Sequence, residues 1–153
     1  MRVVRHLVAI ALLPGVVAVL IPAALLDGTE LGPLAPLGAP LLALGLGMWA
    51  WTVGLFATVG QGTLAPWDPP QRFVARGPYR RVRNPMISGV VAILLGEAAL
   101  FGSWPVFWWA VTVFAINHVY FLAVEEPDLR HRFGGDYEAY MARTPRWLPR
   151  VRA

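Results

Sequence analysis

The sequence MISGVVAILLGEAALFGSWPVFWWAVTVFAINHVYFLAV, from Met86 to Val124, contains two apolar runs, 86–101 and 105–124, separated by only three residues. A helix needs about 20 residues to cross roughly 30 Å of hydrocarbon. So short a connection forces consecutive helices into an antiparallel hairpin. The first run is short for a span, but tilt or local thinning of the bilayer can accommodate it. The stretch therefore predicts a helical hairpin in a membrane.

Two further apolar runs precede the hairpin, at 7–26 and 41–59. The first is longer than the roughly 7–15 apolar residues of a signal peptide, so we predict a retained transmembrane helix rather than a cleaved signal. The predicted fold class is all-α: an integral membrane bundle of about four transmembrane helices in a single domain, 1–153. A loop, 60–85, joins the second span to the hairpin, and a helical tail, 125–153, follows it.

Composition places the chain in the membrane class. Of the 153 residues, 57% are hydrophobic and 14% charged, with a mean hydropathy of +0.55, which is too apolar for an ordinary soluble domain. The 13 basic residues outnumber the 9 acidic ones. Because they flank apolar runs, where they orient a chain in a bilayer, nucleic acid is not a predicted partner. The absence of cysteine excludes disulfides, thiolate metal sites and a cysteine nucleophile.

The arginines predict the topology. They fall before the first span, in the loop 60–85 and in the tail 125–153, whereas the loop between the first two spans and the hairpin turn contain none. They are Arg2 and Arg5, then Arg72, Arg76, Arg80, Arg81 and Arg83, and finally Arg130, Arg132, Arg143, Arg146, Arg150 and Arg152. Four spans would place all three segments on one side, as the positive-inside rule requires. We therefore predict a multi-pass membrane protein with both termini in the cytoplasm.

The segment GPYRRVRNPMISG, Gly77 to Gly89, concentrates positive charge at the start of the first hairpin helix. Pro85 suits the first turn of that helix, and Asn84 is placed to cap it. A helix N-terminus beside a guanidinium group is a ready site for a carboxylate or phosphate, and Arg83 is the arginine nearest to it. The alternative is that the arginines only anchor the loop at the membrane surface.

Three polar residues stand out in the segment NHVYFLAVEEPD, which ends the second hairpin helix: His118, Glu125 and Glu126. In a regular α-helix Glu125 returns to within about 20° of the face of His118, and Glu126 lies about 80° round the helix from His118. Polar side chains on an apolar helix usually face the bundle interior and are candidates for function. Alternatively, the acids end the span and pair with loop arginines, and His118 is an ordinary bundle residue. Glu97, within the preceding span, is expected to be protonated, paired or turned toward the far surface.

The tail, EEPDLRHRFGGDYEAYMARTPRWLPR, is predicted to fold back against the bundle as two short helices separated by its glycine pair. Tyr137 and Tyr140 share one face of the second helix. Trp147 offers a contact with the membrane interface. The sequence contains no HExxH, no Walker-type phosphate loop, no G-x-S-x-G and no histidine cluster, so no metal site is predicted.

The segment GTLAPWDPPQRFVARGPYRRVRNPMISG, the hairpin and the tail segment EEPDLRHRFGGDYEAYMARTPRWLPR together resemble the isoprenylcysteine carboxyl methyltransferase family and its relatives, the phospholipid methyltransferases. Those membrane enzymes show a G-P-Y-x-x-x-R-[HN]-P-x-Y-x-G block before a hairpin and an E-E-x-x-L-x-x-x-F-G-x-x-Y-x-x-Y block after it. The resemblance covers about Gly62 to Arg150. This chain has Asn84 where many relatives have histidine, and Ile87 where tyrosine is common.

The resemblance implies S-adenosylmethionine-dependent methyl transfer to a lipid or prenyl-like acceptor, a carboxylate or an amine, at the cytoplasmic membrane face. The implied catalytic residues are Arg83, which would orient an anionic acceptor, and Glu125 and Glu126, either of which would take the proton of an amine acceptor. The alternatives are an NADPH-dependent membrane reductase of the sterol reductase type and a non-enzymatic membrane ligand-binding protein. The implied cofactor-binding residues are Tyr79, Arg83, Asn84, Pro85, Met86, Gly89, His118, Glu125, Glu126, Tyr137 and Tyr140.

Overall fold

The computed structural model describes residues 11–60 and 75–149, with side chains from residue 14 onward. Within those ranges the fold is all-helical and contains no strand, which confirms the all-α part of the prediction. In chain order the elements are a π-helical segment (Ala11–Leu20) continued by α1 (Ile21–Leu25), α2 (Ala35–Leu55) with a π-helical end (Phe56–Gly60), a 3-10 helix (Gly77–Arg80), α3 (Pro85–Phe101), α4 (Trp104–Tyr120) with a π-helical end (Phe121–Glu125), and α5 (Glu126–Arg143).

The predicted hairpin consists of α3 and α4, joined by only Gly102 and Ser103. Gly102 adopts the left-handed conformation, with a φ of 63°, which a residue without a side chain adopts easily at a helix end. The Ser103 side chain then accepts a hydrogen bond from the Val106 amide, at 3.4 Å, and begins α4. The turn chemistry of these two residues therefore reverses the chain.

Helix α2 lies antiparallel to α3, and glycines line their contact. A side-chain carbon built on Gly38 would lie 2.5 Å from the amide nitrogen of Leu100, and one on Gly45 would lie 2.7 Å from that of Ile93. Distances this short mean that the two backbones approach as closely as glycine permits. Small residues allow such approach in membranes, where no hydrophobic effect drives helices together.

The same contact gives a testable result at Gly96. A methyl group there would lie 2.6 Å from the Leu42 amide nitrogen, so Gly96→Ala must push the helices apart and is expected to lower the free energy of unfolding by about 1–3 kcal/mol. Gly47→Ala is the matched control, because nothing lies within 4 Å of that position and alanine favours a helix. Unfolding by titration with a denaturing detergent measures both; equal stability of the two variants would contradict the close packing.

The buried core is small and lies among α3, α4 and the segment before α1. Leu94 and Val106 are fully buried, and the indole of Trp109 donates a hydrogen bond to the carbonyl of Val17 at 2.9 Å. By contrast, large apolar side chains such as Leu44 and Trp108 are more than 60% exposed. A protein that turns such side chains outward needs an apolar environment around it.

Two helical stretches are long and apolar enough to cross a membrane: Ala35–Gly60, of 26 residues, and Trp104–Arg143, of 40. Two shorter apolar stretches, Pro14–Leu25 and Pro85–Phe101, correspond to the other two predicted spans. Residues 7–10 of the first predicted span lie outside the described residues. The four-span arrangement therefore stays a prediction.

The ends of the bundle differ in charge. At one end the amide of Gly32 donates a hydrogen bond to the carbonyl of Leu100 at 2.8 Å, which places the α1–α2 loop beside the hairpin turn. At the other end Gly77 packs beside Leu55. The arginine segment, Gly77 to Gly89, therefore meets the end of α2. Within α5, Gly134 leaves helical geometry at a φ of 52°, as predicted from the glycine pair, and the tail turns toward the arginine segment.

Candidate active site

The arginine segment is held in place by buried tyrosines. The Tyr140 hydroxyl donates a hydrogen bond of 2.6 Å to the backbone carbonyl of Tyr79. The Tyr79 ring in turn stacks on Phe56, with ring centres 5.6 Å apart. Burial raises the pKa of both tyrosine hydroxyls above the usual value, so both stay protonated. This contact joins the end of α2, the arginine segment and α5.

Backbone hydrogen bonds extend the contact between the arginine segment and the tail. The Arg83 amide donates to the carbonyl of Pro145 at 2.9 Å, and the Asn84 amide donates to that of Arg146 at 3.2 Å. The residues that precede α3 are therefore paired with the residues that follow α5.

Glu126 binds two arginines. Arg83 Nη1 lies 2.9 Å from Glu126 Oε1, while Arg146 makes two parallel contacts, from Nε to Oε1 and from Nη2 to Oε2, each of 2.9 Å. Burial alone would raise the pKa of Glu126. The hydrogen bond from Arg146 and the positive charges of Arg83, Arg146 and Arg130 more than offset burial and lower that pKa below its ordinary value. Glu126 is therefore ionised, and both of its carboxylate oxygens bind arginine side chains.

Glu125 has a different environment, although it is the adjacent residue. Within the described ranges it makes no ion pair, and burial, followed by the negative charges of Glu126 and Asp128, raises the pKa of its carboxyl group to about 7. It ends the π-helical segment Phe121–Glu125, a kind of distortion that recurs at functional sites. The predicted span 105–124 ends immediately before Glu125, so Glu125 lies outside it.

Two donors near this cluster are buried without an acceptor: Arg83 Nε and Asn84 Nδ2. Asn84 is 8% exposed and occupies the position before the first turn of α3. The predicted cap is wrong in one respect, because its side chain makes no hydrogen bond to the helix. The backbone carbonyl of Asn84 accepts a hydrogen bond from the Ser88 hydroxyl at 3.0 Å. Buried donors are rarely left unpaired, so these two atoms are available to an acceptor from outside the chain.

Residues 35–136 match the family model of the phospholipid methyltransferases. The chain belongs to the phospholipid methyltransferase family. The match covers more than half of the chain and includes α2, the arginine segment, the hairpin and both acids. No curated protein matches the chain. The predicted family is thereby confirmed, and a closer relation to the isoprenylcysteine branch stays a prediction.

In this family member His118 is tied to the tail. The indole nitrogen of Trp147 donates a hydrogen bond of 3.0 Å to His118 Nδ1, so that nitrogen carries no proton. Trp147 also packs against Phe114 and Phe121, at ring-centre distances of 4.8 and 5.8 Å. The sequence suggested a membrane-interface contact for Trp147, whereas the structure places its ring against α4. The neighbouring Leu148 is 80% exposed.

The other predicted site residues occupy three different places. Tyr137 is buried and forms a hydrogen bond with Arg83. It therefore belongs to the charged cluster that Glu126, Arg83 and Arg146 form. Pro85 and Met86 form the first turn of α3. Gly89 faces α2, where an added side-chain carbon would lie 3.0 Å from the Trp49 amide nitrogen, so it has a packing role. Its place in a cofactor pocket stays a prediction.

Sequence reasoning missed Arg146, which supplies two of the three contacts to Glu126. Its signal is weak, because it is one of six arginines in the tail. The proline immediately before it, which ends the helical tail, could have identified it as a residue that turns back. Glu97, the other candidate acid, lies near the hairpin end of α3 and away from the charged cluster.

Proposed function

We propose that this chain is an S-adenosylmethionine-dependent methyltransferase whose acceptor is a lipid or a lipid-like small molecule. Its family is one of methyltransferases, and one observation in the structure carries the proposal. Glu125 has no ion-pair partner in the described residues, Arg83 Nε and Asn84 Nδ2 are buried donors without acceptors, and Tyr137 interacts with both Glu125 and Arg83. A ligand with both a positive and a negative group would satisfy all three.

S-adenosylmethionine has groups of both kinds. Its carboxylate suits Arg83 Nε, Asn84 Nδ2 and the free amides at the start of α3. Its ammonium and sulfonium suit Glu125, and neutral tyrosines such as Tyr137 suit its hydroxyls. We retain the remaining implied residues as its lining: Tyr79, Pro85, Met86, Gly89, His118, Glu126 and Tyr140.

When bound, the cofactor supplies a methyl group on a positively charged sulfur. The protein needs no nucleophile of its own, so its residues serve to align the acceptor and exclude water. An amine acceptor must lose a proton, and a base with a pKa of about 7 suits that task near neutral pH. Glu125 therefore takes the role of base in the proposal. Glu126, whose two oxygens already accept from arginines, instead holds Arg83 in position.

The membrane arrangement belongs to the same proposal. The described arginines from Arg76 to Arg83 and from Arg130 to Arg146 lie at one end of the bundle, and apolar side chains face outward along α2 and α4. That distribution supports the proposed arrangement of four spans with both termini in the cytoplasm. A lipid acceptor would then reach the site from the inner leaflet.

Ligand-dependent stability tests the proposal against its two alternatives. Protein purified in detergent is titrated with S-adenosylmethionine, S-adenosylhomocysteine and NADPH while its unfolding is followed. The first two should stabilise the protein, by roughly 2.7 kcal/mol at about 100 times the dissociation constant, and NADPH should not. Stabilisation by NADPH alone would indicate a reductase. Binding without transfer of a tritium-labelled methyl group into a membrane lipid extract would indicate a ligand-binding protein.

A further inference from the structure

The segment Thr144–Trp147 contacts the residues before α3, the start of α5 and helix α4. Pro145 and Arg146 accept backbone hydrogen bonds from the two residues before α3, the Arg146 side chain binds Glu126, and Trp147 donates to His118. Thr144 is 4% exposed. The family match ends at residue 136, so nothing in that match accounts for these contacts.

We propose that Arg146 and Trp147 are positioning residues of the candidate site: Arg146 fixes Glu126 and Arg83, and Trp147 fixes the ring of His118. This inference rests on the proposed function, because positioning has a consequence only where a ligand binds.

Arg146 acts on the site through its positive charge. Arg83 shares Glu126 with Arg146, and the two parallel contacts from Arg146 hold the carboxylate in one orientation. With one arginine fewer, Glu126 would present more uncompensated negative charge to Glu125. The other groups that act on Glu125 are Asp128 and Tyr120 on its own helical stretch, Tyr79 on the arginine segment and Tyr137 on α5. None of these carries a positive charge, so the arginines that neutralise Glu126 set how easily Glu125 ionises, and Arg146 makes two of the three side-chain contacts to Glu126.

Trp147 acts on the site through a hydrogen bond. Its donation to His118 Nδ1 leaves Nε2 as the protonated nitrogen and fixes the plane of the imidazole ring. The ring stacks on Phe114, with centres 5.9 Å apart, so two contacts determine its orientation. Trp147→Phe would keep the aromatic packing and remove only the donor.

The test combines cofactor affinity across pH 5.5–8.5 with hydrogen exchange of the protein without cofactor. Arg146→Ala should weaken S-adenosylmethionine binding by about tenfold and raise the pH midpoint of binding by about half a unit or more, because Glu125 becomes harder to ionise. The amides of Arg83 and Asn84 should also exchange faster. Arg146→Lys keeps the charge and loses the two parallel contacts, so it should restore the midpoint while restoring affinity only in part.

Matched controls separate positioning from general destabilisation. Arg143→Ala removes an exposed arginine of the same tail, and Trp108→Phe changes an exposed indole of α4; neither should alter affinity, midpoint or exchange. Trp147→Phe should lower affinity severalfold at an unchanged midpoint.

Two outcomes would overturn the proposal, and only the second would also overturn the proposed function. Normal binding by the wild type, with Arg146→Ala and Trp147→Phe indistinguishable from the controls, would refute the positioning role alone. A wild type that binds no S-adenosylmethionine would refute the proposed function and the positioning role with it, whatever the exchange data show.

Discussion

Replacing Glu126 by glutamine should destabilise the protein by about 3 kcal/mol near neutral pH, although the side chain keeps its size. The reason is that two guanidinium groups, those of Arg83 and Arg146, would remain in a largely buried site without a counter-charge. The side chains of Glu126 and Arg83 are only 8% and 13% exposed, so water cannot replace the carboxylate. Unfolding by titration with a denaturing detergent, with the protein held in mild micelles, measures the effect.

The pH dependence of this effect follows from the lowered pKa of Glu126. A carboxyl group with a lowered pKa stabilises the folded state fully above its ordinary value of 4.5, and that stabilisation is lost as the pH falls further. The difference between wild type and Glu126→Gln should thus be complete at pH 7 and shrink in acid. Asp128→Asn is the control, because Asp128 forms an exposed pair with Arg132 that should contribute less than about 1 kcal/mol. A loss as small as that of the control would show that the cluster is not buried.

The hairpin could be predicted from sequence because it depends on local chemistry. A left-handed glycine and a capping serine stand between two apolar runs, and no other part of the chain is needed to specify a reversal. The meeting of Arg83 with Glu126 was also predictable. A tight hairpin returns the chain to the end from which it started, and Arg83 and Glu126 stand at the two outer ends of that hairpin.

The different roles of the two acids could not be predicted. The expected angular relation of His118, Glu125 and Glu126 assumed a regular helix, but the π-helical segment Phe121–Glu125 follows His118 and includes Glu125, which changes the register of both acids relative to His118. Whether a helix contains such a segment depends on packing, which periodicity in the sequence does not reveal. The result is that Glu126 faces the arginines and Glu125 does not.

The contacts of Arg146 and the start of α2 were missed for related reasons. Arg146 reaches Glu126 across a kinked helix and a turn, so the pairing exists only in the folded molecule. Helix α2 begins at Ala35 rather than at residue 41, because Pro36 fits a first turn that needs no amide donor and Pro40 lies within the helix. Hydrophobic patterning alone does not distinguish a proline that begins a helix from one that ends a loop.

Replacing Glu125 by glutamine should stabilise the protein, whereas Glu126→Gln should destabilise it. The Glu125 substitution should also have the larger effect on cofactor binding. Burial and neighbouring negative charge raise the pKa of Glu125 from 4.5 to about 7, so the folded protein favours the neutral carboxyl group. The stability that this preference contributes is complete below about pH 4.5 and is lost as the pH rises through 7. Glutamine is neutral at every pH. Glu125→Gln without ligand should therefore match the wild type in acid and exceed it by about 2 kcal/mol at pH 8.

The same substitution should weaken binding of S-adenosylmethionine by about a hundredfold at pH 8, since the site loses the negative charge proposed for the cofactor's positive groups. Wild-type affinity should rise with pH through about 7 as Glu125 ionises, and the variant should show no such rise. A variant that gains stability and loses affinity has lost a ligand-binding acid. Removal of a structural acid would lower both the stability of the protein and its affinity for the cofactor. Calorimetric titration of the variant and of Glu126→Gln at several pH values makes the comparison. Full affinity in Glu125→Gln, or a loss of stability at pH 8, would show that Glu125 is not the acid that faces the cofactor.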